Sequence, residues 1–221
     1  MLDLIARYFA DGGPLMWAIL AIVGAAAAVI VERAVFFLLR CRDRSGPLVA
    51  EAVSALNHGL PERALRAVTR QRGPLNAVLA VAIERYRDGH SNSEIRQAVE
   101  EVALREVPRF SQRLGYLSTF ANVATLAGLL GTIFGLQVAF RSLVVTNAAE
   151  KAAVLAAGIA QAMNTTSFGL IVAIPCLLAH AVLVNLQSRR AEDLDAGAMR
   201  LLNYLENRPE KPDVIAGRIS A

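Results

Sequence analysis

The sequence predicts an all-α membrane protein with three transmembrane helices and long helical extensions in the cytoplasm. Two observations lead to this fold class. Of the 221 residues, 55% are hydrophobic, which exceeds the roughly 45–50% of a soluble domain. Charged residues are almost absent from three stretches and dense between them, a block pattern typical of membrane proteins rather than of one soluble core.

The first predicted transmembrane helix spans residues 14–40. It contains no charge before Glu32, and roughly 20 apolar residues are enough to cross a bilayer core. Gly12-Gly13-Pro14 is a helix-start signal, since proline is favoured in the first turn. Trp17 lies where interfacial aromatic residues occur. Residues 1–13 therefore form a short segment before this helix.

The second and third predicted transmembrane helices span residues 113–141 and 152–188. Basic residues flank both apolar stretches, and the short loop 142–151 separates them. The third stretch is much longer than a bilayer requires, so we expect it to tilt or to project beyond the lipid as a helix.

Arginine positions predict the orientation. Basic residues are enriched in cytoplasmic segments next to transmembrane helices. On one side of the predicted membrane lie Arg33, Arg40, Arg42, Arg44, Arg105, Arg109, Arg113, Arg189 and Arg190. The other side has Arg7, Arg141 and Lys151. The sequence therefore predicts the N-terminus outside, in the periplasm, with the segment 41–112 and the C-terminal helix and tail 189–221 in the cytoplasm.

The cytoplasmic segment 41–112 has the pattern of several helices. Pro61 and Pro74 are suited to first turns. Ser91 and Glu94 match a capping box, in which each side chain bonds the backbone of the other residue. We expect Pro108 to kink the helix that follows, and this helix to continue into the second transmembrane helix.

Polar and small residues on the second and third transmembrane helices are the candidate site. We predict as pore-lining Asn122, Thr125, Thr132, Gln161 and Thr166. The competing interpretation is helix packing, because hydroxyls also bond their own backbone and small residues let helices approach. Packing is the prediction for Gly128, Gly131, Gly135, Gly158 and Gly169, with a kink at Pro175.

Acidic residues are missing from the second and third transmembrane helices. A proton path through a membrane usually needs carboxylates or histidines, so a proton channel built from these helices would need a carboxylate from a partner. We predict interfacial positions for the ionisable side chains of Glu32, Arg33 and His180. Several copies of the chain would be needed to bury the polar side chains around a pore.

Other function classes have little support. The three histidines are scattered, and no catalytic constellation, metal-ligand cluster or cofactor motif is visible. The basic residues lie beside apolar stretches, which fits membrane topology and argues against nucleic-acid binding despite a net charge of +4. A non-conducting membrane scaffold that recruits partners through its cytoplasmic helices remains the alternative to a channel.

Two blocks of sequence resemble the MotA/TolQ/ExbB proton-channel family. They are Gly-Leu-Leu-Gly-Thr-Ile-Phe-Gly at 128–135 and the stretch from Gly158 to Pro175. The layout is similar to the three-span ExbB/TolQ branch in the bacterial inner membrane. The resemblance implies a channel-forming stator subunit, not an enzyme, in a motor driven by the proton motive force. The motor would serve transport, envelope maintenance or gliding motility.

The resemblance also implies an assembly and roles for residues. We expect a homopentamer around two copies of a single-span ExbD/TolR/MotB-like subunit, whose transmembrane aspartate carries the proton. By matching position, Thr132 and Thr166 would face the pore. ExbB and TolQ have a glutamate where this chain has Gln161, and an amide cannot carry a proton.

Overall fold

The computed structural model describes residues 12–40, 45–70, 73–144 and 147–207. Within these residues, all regular structure is helical. The helices are α1 (Leu15–Arg40), α2 (Ser45–Asn57), α3 (Pro61–Thr69), α4 (Pro74–Arg87), α5 (Asn92–Ser111), α6 (Leu114–Arg141) and α7 (Ala148–Glu206), with a short 3-10 helix at Ser142–Val144. Most of the predicted segment 1–13 and the end of the predicted tail, 208–221, lie outside the described residues.

Three helices are long and apolar enough to cross a membrane. Their apolar stretches lie in α1, in α6 and in α7, each with a mean hydropathy of 1.8 or more. The predicted all-α class with three transmembrane helices is confirmed. Helix α7 is 59 residues long and uninterrupted, so the predicted third transmembrane helix and the start of the predicted C-terminal helix are one element.

Local signals set the helix boundaries between α1 and α6. Pro61 and Pro74 occupy the first positions of α3 and α4, as predicted. Ser91 caps α5, and the side chain of Glu94 accepts a 2.8 Å hydrogen bond from the Ser91 backbone N–H. The predicted capping box is therefore confirmed.

The connection between α5 and α6 differs in part from the prediction. Pro108 lies inside α5, and α6 follows α5 after two residues. The break, however, comes after Pro108, because α5 ends at Ser111 and α6 begins at Leu114. Arg113 has a φ of 62°, a left-handed conformation that costs a non-glycine residue about 1–2 kcal/mol and stops a right-handed helix.

The described residues divide into two compact units. The first, which we call the membrane unit, comprises the described residues within 12–33 and Arg113–Val184. A shared apolar cluster joins its three helices, with Ile19 and Ala26 from α1, Ala121 and Ala124 from α6, and Val172, Ala173 and Cys176 from α7. Alanine predominates in this cluster, so the helix axes can approach closely.

The second unit, the bundle unit, comprises the described residues within Ala34–Gln112 and 185–207. Large aliphatic side chains fill its core, and fully buried examples are Leu56, Val68, Leu79, Ile83, Ile95, Leu194 and Leu201. Hydrogen bonds also link its helices. The buried Asn76 side chain donates to the Val68 carbonyl at 2.8 Å, and the Tyr204 hydroxyl donates to Asn57 at 2.6 Å.

Candidate pore-forming site

Glycines bring α6 and α7 into backbone contact. A Cβ atom on Gly135 would lie 2.5 Å from the backbone nitrogen of Ala162, and one on Gly169 would lie 2.7 Å from the carbonyl oxygen of Ala124. A Cβ on Gly158 would overlap the backbone of Ala139. Real Cβ contacts are essentially never shorter than 3.0 Å, so no larger residue allows this approach without a shift of the backbone.

The Thr166 hydroxyl joins the two helices at the centre of this contact. It donates a hydrogen bond to the Gly128 carbonyl on α6 at 3.1 Å. A Cβ on Gly128 would lie 3.3 Å from the Thr166 Cα, and the missing side chain leaves room for the hydroxyl. Thr132 is four residues beyond Gly128, one helical turn further along nearly the same face. The two threonines therefore occupy adjacent turns along the α6–α7 contact.

Thr132 bonds its own helix and remains half-buried. Its hydroxyl donates to the Leu129 carbonyl at 2.5 Å. Thr125, seven residues earlier, also bonds its own helix, donating to Ala121 at 3.0 Å. The side chains of Thr125 and Asn122 are exposed on the surface of the single chain. Together with Thr132, they form a polar strip beside the buried glycine face of α6.

Thr165 is a functional candidate that the sequence analysis missed. It is fully buried, and its hydroxyl lies 2.9 Å from the Gly12 carbonyl oxygen and 2.8 Å from that of Gln161. The signal was available in the spacing. Thr165 is seven residues after Gly158 and four before Gly169, which places it on the buried stripe of α7.

Gln161 lies on a different side of α7 from Thr166. Five residues separate them, which corresponds to about 140° around the helix. A Cβ on Gly13 would lie 2.5 Å from the Gln161 side-chain nitrogen, so this amide sits against the start of α1. Among the residues predicted as pore-lining, Thr166 bonds α6 at Gly128, one helical turn from Thr132, while Gln161 lies against Gly13.

Charged side chains meet further along α1, eight residues before its end at Arg40. Glu32 accepts hydrogen bonds from Arg33, at 3.2 Å, and from Arg113. The Arg33 side chain is buried and that of Glu32 is half-exposed.

His180 is half-buried on α7, and Pro175 lies within that helix without ending it. The described residues contain no group of three His, Cys, Asp or Glu side chains that could hold a metal ion.

Comparison with known proteins identifies the family. The model of the MotA/TolQ/ExbB proton channel family matches residues 70–196, more than half of the chain and most of the membrane unit. The chain belongs to the MotA/TolQ/ExbB proton channel family. The predicted resemblance is therefore confirmed. Members of this family are ion-channel energy transducers of the inner membrane, so the chain is an inner-membrane protein and not an enzyme.

Relatives within the MotA/TolQ/ExbB family support the assignment. A protein of Methanothermobacter thermautotrophicus named as a biopolymer transport protein ExbB homolog is 32% identical over 172 residues, which is 77% of this chain and 59% of the relative. This chain therefore spans less than two thirds of that relative's length. An ExbB-like protein of Synechocystis is 30% identical over 69% of this chain and 72% of its own length.

A solved structure is also similar to this chain. It is that of MotAB from C. jejuni, which is 20% identical, covers 87% of this chain and 79% of the matched chain, and gives a TM-score of 0.49.

Proposed function

We propose that the chain is the channel-forming stator subunit of an inner-membrane motor driven by the proton motive force. The observation that carries this proposal is the α6–α7 pair, whose glycine contacts set Thr132 and Thr166 on adjacent turns. Each hydroxyl has one proton to donate, so a hydrogen bond to a carboxylate would replace the one that Thr132 donates to Leu129 or that Thr166 donates to Gly128. Both hydroxyls are suited to binding a carboxylate or its water, and neither can itself carry a proton.

The proton carrier would come from a partner. No Asp or Glu occurs in α6 or in residues 152–188 of α7, so these helices offer a path without an acid of their own. A single-span ExbD/TolR/MotB-like subunit with a transmembrane aspartate, in two copies, supplies the missing group. In a low-dielectric pore, the threonine hydroxyls lower the cost of holding this carboxylate, because an unsatisfied buried polar group costs about 1–3 kcal/mol.

A homopentamer would enclose this path. Asn122 and Thr125 are exposed on the single chain, where lipid would leave the Asn122 amide unsatisfied. Neighbouring copies bury these side chains when α6 and α7 face the centre. Gln161 then belongs to the contact with α1 rather than to the ion path, which explains how the chain functions without the glutamate of ExbB and TolQ.

The function is tested by reconstituting the chain in liposomes with its co-encoded single-span partner. With a potassium diffusion potential applied, we expect proton uptake that depends on the partner's aspartate. Replacement of that aspartate by asparagine should abolish the flux while the complex still co-purifies. No flux from an intact complex would contradict the channel and favour the scaffold. Repeating the flux measurement with a sodium gradient in place of a proton gradient shows which of the two ions is conducted.

The driven machine is a transport, envelope-maintenance or gliding apparatus. The names of the two relatives given above refer to biopolymer transport, which favours the first. Deleting the gene and scoring uptake of large ligands, envelope integrity and surface motility separates the three, since only one output should fail in each case.

The N-terminus is proposed to face the periplasm. A cysteine at position 148, the first residue of α7, should react with an impermeant thiol reagent from outside. One at position 88, in the bundle unit, should react only after the membrane is opened. The reverse pattern would invert the assignment of pore ends.

A further inference from the structure

Gly12 and Gly13, which precede α1, contact α7 far from its beginning. Thr165, which meets the Gly12 carbonyl, lies 17 residues after Ala148, about 26 Å along the helix. The side chain of Gln161, one turn away, lies against Gly13. Helix α1 therefore begins partway along α7, and a polar contact marks the level at which it begins.

The two polar contacts of α1 are separated by about one bilayer core. The second contact is that of Glu32, further along α1, with Arg113. Glu32 comes 17 residues after Leu15, which again corresponds to about 26 Å along the helix. The hydrocarbon core is about 30 Å thick. Between the two ends, α1 offers apolar side chains to α6 and α7, and such contacts alone resist sliding weakly because lipid tails are equally apolar.

The Thr165 hydroxyl has one proton and two acceptors within reach. The Gln161 carbonyl also lies within α7, where the backbone N–H four residues later serves it. The Gly12 carbonyl precedes α1 and is buried with its residue. A hydrogen bond from the Thr165 hydroxyl therefore stabilises the Gly12 carbonyl more than the Gln161 carbonyl, which already accepts a backbone hydrogen bond. Gly13 has a φ of 75°, which glycine adopts readily and other residues do not, so the turn that presents this carbonyl depends on glycine.

We propose that Thr165 is a positioning residue, which fixes the height of α1 against the α6–α7 pair by donating its hydroxyl to the Gly12 carbonyl. The contribution of this height to ion flow rests on the proposed function. The docking of α1, by which we mean its contact with α7 at this height, does not rest on the proposed function. The docking and the ion flow are therefore tested by separate measurements.

Trp17 is a native reporter of this height. It is the single tryptophan of the chain, lies five residues after Gly12, and is 66% exposed. The full-length chain, reconstituted alone in phosphatidylcholine–phosphatidylglycerol vesicles, is measured with lipids brominated either near the headgroup or near the chain ends. The ratio of the two quenching efficiencies gives the depth of Trp17 and its spread.

Thr165→Val removes the hydroxyl and keeps the shape. We expect the ratio of docked to undocked α1 to fall about fivefold, the equivalent of one buried hydrogen bond of about 1 kcal/mol, seen as a shifted and broadened Trp17 depth. Thr165→Ser keeps the hydroxyl and should retain the wild-type depth. Thr166→Val is the matched control, since it removes the neighbouring hydroxyl that faces α6 and should leave Trp17 in place.

An unchanged Trp17 depth in Thr165→Val would overturn the proposal, as would a depth change that Thr165→Ser shares. If Thr165→Val does not insert, Thr165→Cys, whose thiol is a weak donor, is compared with Thr165→Ser by the same criterion. In the partner complex, Thr165→Val should reduce proton flux and Thr165→Ser should restore it. Loss of flux in every variant and in the wild type would reject the proposed function, while the depth measurement would still decide the docking.

Discussion

The membrane unit and the bundle unit achieve close packing by opposite means. In the bundle unit, large aliphatic side chains such as Leu56 and Ile83 are fully buried, as expected where water drives apolar burial. In the membrane unit, Gly135 and Gly158 allow backbone contact. Lipid provides no hydrophobic driving force for helix association. The stability of the membrane unit therefore comes from the close approach of its helices. The bundle unit should therefore be sensitive to the loss of side-chain volume, and the membrane unit to the addition of side-chain volume.

The largest effect should follow from adding one methyl group to the membrane unit. The Cβ of Gly158→Ala would overlap the Ala139 backbone, which cannot rotate away. We expect destabilisation by about 3 kcal/mol, measured as loss of the folded oligomer during titration with a denaturing detergent. Gly24→Ala is the matched control, since nothing lies within 4 Å of its new Cβ. Equal destabilisation by the two substitutions would contradict the explanation that glycine contacts stabilise the membrane unit.

A smaller effect should follow from removing one methyl group from the bundle unit. Ile83 is fully buried, and Ile→Val substitutions in cores cost about 0.5–1.5 kcal/mol. Protease resistance of the bundle unit in the full chain, as a function of urea, measures the change. Leu104, which is 71% exposed, gives the control Leu104→Ala, for which we expect a change within about 0.5 kcal/mol.

A surface ion pair should contribute less again. Arg96 donates to Glu206, and both side chains are partly exposed, so Glu206→Gln should cost no more than about 1 kcal/mol. Salt screens such a pair, and the difference between variant and wild type should shrink at high ionic strength. A cost that is independent of salt would show that Glu206 acts through packing.

The smallest change is expected from Asp88 in the bundle unit. The hydrogen bond from Arg87 holds the pKa of its carboxyl below the usual value. A lowered folded-state pKa means stability that is present above the unfolded pKa of about 3.9 and is lost as the pH falls through the folded value. Asp88→Asn removes this contribution, so the variant should be slightly less stable than the wild type near neutral pH, and the difference should disappear as the pH falls through the acid range. A difference in stability that persists at low pH would contradict this assignment.

The sequence predicted the fold class because its signals are strong and local. Three apolar stretches, prolines at first turns and the Ser91–Glu94 capping box each depend on neighbouring residues. The break at Arg113 was missed because its conformation accompanies a contact with Glu32, which is 81 residues away. Pro108 was the visible signal, yet the helix accommodates it.

The candidate site was predictable only in part for a similar reason. Spacing placed Thr132 and Thr166 on suitable faces, but Thr165 and Gln161 acquire their environment from Gly12 and Gly13. No local pattern indicates that the start of α1 meets α7 at that level. Side chains whose partners lie on a distant helix are therefore the ones that sequence analysis assigns least well.

The central claim, that the α6–α7 pair forms the ion path, is tested most directly by proton flux through the partner complex containing Thr132→Val together with Thr166→Val. Thr119→Val is the matched control, since its hydroxyl bonds its own helix as that of Thr132 does, to Gly115 at 3.2 Å, but lies about 140° around α6 from Thr132. We expect the double variant to assemble with the partner and to conduct at least about tenfold less, since two hydrogen bonds of about 1 kcal/mol are lost, while Thr119→Val conducts normally. A double variant that assembles and conducts at the wild-type rate would contradict the account.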